Sequence, residues 1–151
     1  MKRLLRSLLV LLLTGLAGGA AAEDMLMVRS RASFEETMLT LQQAISDQGY
    51  VLSRVQRVDI GLTEFGYQTD KYRVVFFGKP DETRKLSANY PELIPYLPLQ
   101  IAIFAEGDET LLATASPLDL SNAYAKPEFA ALFARWEQDL RAILEQVRKT
   151  Q

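Results

Sequence analysis

Apolar and polar positions recur along this chain with two different periods, and the switch from one to the other marks its elements. Met25 to Val28 is apolar and predicts an opening strand. From Ser33 the period becomes helical: Phe34, Met38, Leu41 and Ile45 form one apolar stripe. Ser33 stands three residues before Glu36, the spacing at which hydroxyl and carboxylate each satisfy the other residue's backbone N–H. Gly49 closes this helix, because glycine enters the left-handed conformation without a Cβ clash. Tyr50 to Val58 is rich in β-branched and aromatic residues and predicts a strand, whose Arg54 and Arg57 imply a partly solvated face or an edge. Ile60 to Asp70, with Gly61 and Gly66, keeps no long periodic pattern and reads as a loop that has room for one helical turn. Tyr72 to Phe77 contains the unbroken run Val74-Val75-Phe76-Phe77, which suits a strand buried on both faces. Gly78-Lys79-Pro80-Asp81 then ends it with turn chemistry.

Glu82 to Tyr90 predicts a short helix stopped by Pro91, and Pro95 and Pro98 keep the following chain irregular. Two apolar segments, Leu99 to Ala105 and Thr110 to Ala115, flank Glu106-Gly107-Asp108-Glu109 and predict a hairpin. Pro117 to Lys126 is a polar connection. The last helix opens at Pro127, whose missing N–H is harmless in a first turn. Its apolar positions, Phe129, Leu132, Phe133, Trp136, Leu140, Ile143, Leu144 and Val147, step by threes and fours over five turns. A stripe that wide predicts a helix packed across the domain's own sheet, with a partner-binding helix as the alternative. Together the elements predict an α+β fold: a mainly antiparallel sheet with helices packed on one face, plus a long C-terminal helix.

The first 22 residues follow a different logic. Lys2, Arg3 and Arg6 give a basic start, Leu8 to Leu16 is apolar apart from Thr14 and Gly15, and small residues end in Ala20-Ala21-Ala22. This is the pattern of a secretory signal peptide, with Ala20 and Ala22 placing the cut before Glu23. The apolar core is short for a membrane span, which needs about 20 apolar residues. The expected product is one domain, residues 23–151, periplasmic or secreted and of bacterial type, with no stable membrane anchor after cleavage; an uncut anchor is the competing reading. With no cysteine in the chain, no lipid can be attached at one.

Losing the leader removes three basic residues and no acid, so the net charge moves from −2 to −5. A mildly acidic surface argues against nucleic acid as a partner, since that binding rests on Lys and Arg neutralising phosphates. Zero Cys and zero His remove Ser-His-Asp and Cys-His catalysis, thiol redox chemistry and the usual zinc, copper and haem ligands. No metal site and no cofactor are expected. The acid pairs Glu35/Glu36, Asp81/Glu82 and Asp108/Glu109 are adjacent residues that cannot face each other across a cleft as glycosidase carboxyls do. Tyr67 and Lys71 have the Tyr-x-x-x-Lys spacing of short-chain dehydrogenases, without the Gly-rich turn a dinucleotide fold needs. No catalytic residues are assigned, and the chain reads as a non-enzyme. Tyr67, Tyr72, Phe77, Tyr90 and Tyr96 are the candidate ligand-binding residues, as the lining of a Tyr/Pro mouth for a small apolar or aromatic molecule. The plain alternative is a set of half-buried rings with their hydroxyls in water.

At Ser33-Phe34-Glu35-Glu36-Thr37, Gly49-Tyr50, Val58-Asp59, Phe77-Gly78-Lys79-Pro80 and Leu97-Pro98-Leu99 the chain resembles the domain of unknown function 302 family, over roughly Val28 to Pro117. The resemblance implies a compact α+β fold, often dimeric, and no established activity. Members often carry His where this chain has Ile60, Asn where it has Lys79, and an acid where it has Tyr96. The helix after Pro127 looks like an addition to the shared core. The leading expectation is an exported, non-enzymatic binding or accessory domain, acting as a homodimer or with a periplasmic protein partner. The alternatives are a carrier of a small apolar or aromatic ligand, and an enzyme using carboxylates or a Tyr/Lys pair.

Overall fold

The computed structural model describes residues 25–150; the leader and the cut before Glu23 lie outside the described residues. The chain runs β1 (Met25–Ser30), α1 (Phe34–Asp47), β2 (Val51–Arg57), α2 (Val58–Glu64), β3 (Tyr72–Gly78), α3 (Pro80–Asn89), a 3-10 segment (Pro91–Tyr96), β4 (Leu99–Glu106) and β5 (Glu109–Ala115). A second 3-10 turn (Pro117–Asp119), the single-turn α4 (Leu120–Ala123) and α5 (Pro127–Lys149) follow. The five strands form one sheet in the order β1-β5-β4-β3-β2, every neighbouring pair antiparallel. This is the expected α+β architecture.

Local chemistry explains most element ends. At α1 the Ser33 hydroxyl accepts from the Glu36 N–H while the Glu36 carboxylate accepts from the Ser33 N–H at 3.1 Å. Gly49 follows that helix at φ +75°, and Gly107 turns the β4–β5 hairpin at φ +60°. Where β1 enters α1, Thr37 and Thr110 are buried and their hydroxyls donate to the Ala32 carbonyl, each at 3.3 Å. Thr37 also bonds the buried Ser30 hydroxyl at 3.0 Å, and no buried side-chain polar atom among the described residues lacks a partner.

The core lies between one face of the sheet and two helices. Leu26, Val75, Phe77, Ile101, Ile103 and Leu112 point inward and meet Leu41, Ala44 and Ile45 of α1. From α5 come Phe129, Phe133, Trp136, Leu140, Ile143, Leu144 and Val147, all buried. The apolar stripe of α5 is therefore used inside the domain, and α1 packs alongside it.

Four expectations need correction. Residues 58–64 are helical rather than loop: Arg57 ends β2 one residue early and α2 starts directly, with the Thr63 hydroxyl donating to the Asp59 carbonyl at 2.9 Å. Pro80 opens α3 instead of preceding it, since proline is well suited to a first turn. The polar connection after Pro117 contains helical turns. The Val74–Phe77 run is buried on one face only, because Val75 and Phe77 point into the core while Val74 and Phe76 stay partly exposed on the other. The edge reading of Arg54 and Arg57 agrees with the sheet order, since β2 is an outer strand and exposed along its length.

Candidate functional site: a sheet face and a terminal cleft

Both long helices cover the same face, so the register defines what the other face presents. Pairing across the strands places Met27, Ala113, Ala102, Val74 and Gln56 in one row. The next row holds Arg29, Leu111, Phe104 and Tyr72. On the other side of the small central row stand Met25 and Ala115 on one pair of strands, and Gln100, Phe76 and Arg54 on the rest. Antiparallel sheets with one solvated face usually turn polar residues outward. This one turns out mainly apolar side chains: Met25 and Met27 are each 52% exposed, and Tyr72 packs edge-on against Phe104 with ring centres 5.8 Å apart. Charge gathers at the corners, where Arg29 pairs with Glu106 and, at 3.4 Å, with Glu109.

A second feature joins α5 to the corner where β3 passes into α3. The Tyr50 hydroxyl donates to Asp139 Oδ2 at 2.6 Å, and Arg135 reaches the same oxygen at 3.4 Å. Lys79 Nζ stands 3.7 Å from it and 4.4 Å above the Tyr50 ring centre. Arg135 also pairs with Glu82, which accepts from the Trp136 indole N–H at 3.2 Å. Burial, and then the hydrogen bond to Asp139, push the Tyr50 phenol well above its ordinary range. Here the Gly49-Tyr50 and Phe77-Gly78-Lys79-Pro80 segments meet, which gives them a structural meaning as a clamp. Every acid in the clamp is held by donors, as is the buried Glu137, which accepts from Ser116 at 2.7 Å and from Arg141 at 2.8 Å. Asp59 is likewise held by Arg73, and that pairing keeps its carboxyl below the usual range. Among the described residues no cluster of three or more potential metal ligands occurs, and no helix is long and apolar enough to cross a membrane.

The five candidate ligand residues do not share one cavity. Tyr67 is 67% exposed beyond α2, and Tyr72 lies on the outer sheet face. Phe77 is fully buried, edge-on to Tyr50. Tyr90 caps α3 and packs on Phe129. Tyr96 alone of the five lines the cleft of about 290 Å³ at the end of the sheet, next to the cis peptide before Pro98. Sequence reasoning missed the other walls, Trp136 and Leu140 from α5 and Asp119 from the second 3-10 turn. It also missed Asp139, because Tyr50 lies 89 residues away and nothing local signals the pair.

Among solved structures, the crystal structure of an uncharacterized conserved DUF302 protein from Bacillus stearothermophilus is similar to this chain, with a TM-score of 0.75 and 20% identity. The likeness covers 84% of this chain and 100% of that one, and at that identity it speaks to the fold. No curated protein matches. The family model described as "Domain of unknown function DUF302" matches residues 26–147. That span corrects the narrower resemblance: α5 is part of the shared domain and not an addition to it, as its burial across the sheet requires. With most of its length matched, this chain belongs to the DUF302 family, a domain family of unknown function.

Proposed function

We propose that the protein is an exported, non-enzymatic binding or accessory domain that works as a homodimer, two copies packing their outer sheet faces together. One observation carries this reading: the face that α1 and α5 leave open is mainly apolar on β1, β5, β4 and β3, with Ala113, Ala102 and Val74 forming a low central row between taller side chains, while β2 adds Arg54 and Gln56 at one edge. A two-fold axis along that row lays Tyr72 and Phe104 of one copy against Phe76 and Gln100 of the other. The corner charges fall outside the apolar centre, where they cost little desolvation.

The size of the face sets the strength of the contact. Strands about 4.8 Å apart and alternate rows about 6.6 Å apart give on the order of 400 Å² of projected area per copy. A standard interface buries about 800 Å² per partner. The dimer is therefore reversible and grows with concentration. A passive role is further supported by the absence of imidazole and thiol, and by the donors that occupy the buried acids. Export is supported by the basic start, the apolar stretch and Ala20-Ala21-Ala22.

Light scattering over a dilution series tests the reading. The wild-type chain is expected to shift from monomer to dimer as concentration rises. Ala102→Glu, a charge placed in the middle of the face, is expected to stay monomeric with an unchanged melting temperature. A wild-type chain that stays monomeric throughout, or an Ala102→Glu variant that dimerises equally well, removes the proposal.

A further inference from the structure

The cleft at the end of the sheet borders the outer face, sharing Phe76, Gln100 and Ala115 with it, but is built differently. Its floor is the protein core: Trp136 and Leu140 reach it from α5, and each is 1% exposed. Tyr96 stands at the mouth, 37% exposed, braced by an edge-on contact with Tyr124 at 5.9 Å. Phe76 is a third aromatic wall. The volume is about 290 Å³. A cavity of about 150 Å³ already holds a benzene ring, so this one has room for a ring with a substituent.

The polar groups of the cleft have one sign. Asp119 is the sole acid among the lining residues, and no Lys or Arg lines the cleft. Its carboxylate makes no hydrogen bond and no ion pair among the described residues, and it does not cap the helix it precedes. Two acids packed on or against α5 are committed to donors: Glu137 to Ser116 and Arg141, Glu82 to Arg135 and Trp136. An uncommitted carboxylate beside three aromatic walls fits a positive charge, because ring faces carry negative potential and attract cations.

We propose that this cleft binds a small organic cation with an apolar body, an amine or quaternary ammonium on a ring or short alkyl frame. The apolar part lies against Trp136 and Leu140, and the charge sits between Asp119 and the rings of Tyr96 and Phe76, over their faces. Phe76 and Gln100 line this cleft and also lie in the outer face, so the cleft is open in the monomer, and titration is carried out at concentrations where the chain is monomeric.

Trp136 is the single tryptophan of the chain and lies in the cleft wall, so its fluorescence and its indole N–H resonance both read occupancy. The full chain is titrated with benzyltrimethylammonium, with benzyl alcohol as the neutral probe and phenylacetate as the anion. A saturable change with the cation is expected, with phenylacetate at least tenfold weaker. Asp119→Asn should weaken the cation about tenfold while leaving benzyl alcohol and the melting temperature unchanged. Tyr96→Leu should weaken the cation more than the neutral probe. Phenylacetate binding as tightly as the cation, Asp119→Asn leaving the cation's affinity intact, or no saturable change in either signal would each overturn the proposal.

Discussion

The Tyr50 phenol shows how one buried hydroxyl ties the stability of this fold to pH. Burial and the Asp139 carboxylate raise its folded-state value well above the ordinary 10.0. In the unfolded chain the phenol ionises near its ordinary value, while in the folded chain it keeps its proton. A raised folded value means that the contribution is complete below about pH 10 and is lost as pH climbs beyond it. Tyr50→Phe deletes the hydroxyl but leaves Asp139 with Arg135 and Lys79. The expected cost at pH 7 is about 1 kcal/mol, that of one hydrogen bond to a charged group partly compensated by other partners. Urea unfolding at several pH values checks this: between neutral pH and about pH 11 the wild type should lose more stability than Tyr50→Phe. Parallel slopes for the two proteins would show that the phenol titrates alike in both states.

Among the elements, α1 and α5 carry most of the organisation, by different means. The capping box of α1 is local, and Ser33→Ala is expected to cost about 1 kcal/mol of stability in chemical denaturation. The contribution of α5 is tertiary. Its seven buried apolar side chains are each worth about 1.5–3 kcal/mol, roughly 10–20 kcal/mol together. A domain of this size has a net stability of about 5–15 kcal/mol. A chain truncated after Lys126 should therefore show no cooperative thermal transition. A truncated chain that melted sharply would mean that the sheet and α1 form a core of their own.

At the scale of the whole molecule, the two faces of one sheet differ. The inner face holds the helices, and the outer face is left uncovered by them, which is why it is the face proposed to associate. Strand order decides this, because β1 and β2, far apart at the two edges, leave Ala113, Ala102 and Val74 of the inner strands at the middle of a broad flat surface. The proposed export belongs to this scale as well: β1 begins at Met25, so a cut before Glu23 would leave it whole. Terminal sequencing of protein recovered from the periplasm is expected to start at Glu23, and recovery of intact Met1 would end that reading.

Local physics accounts for what the amino-acid order settles alone: α1, its capping box, Gly49, the β4–β5 hairpin and the stripe of α5. Each rests on a period or a cap that spans a few residues, so it is visible without neighbours. The absence of His and Cys is equally a property of the chain by itself, and it narrows the available chemistry before any fold is known. The α2 helix escaped this reading because it is two turns long and its support, the pairing of Asp59 with Arg73, comes from another strand. The Val74–Phe77 run shows that a string of apolar residues tells which strand is apolar and not which of its faces another element will cover. Of the five aromatic candidates, only Tyr96 reached the cleft, and its companions Trp136 and Asp119 come from segments well separated in the chain. Clamp, cleft and open face are made by contacts between distant residues, and only the pairing of strands and the docking of α5 bring those residues together.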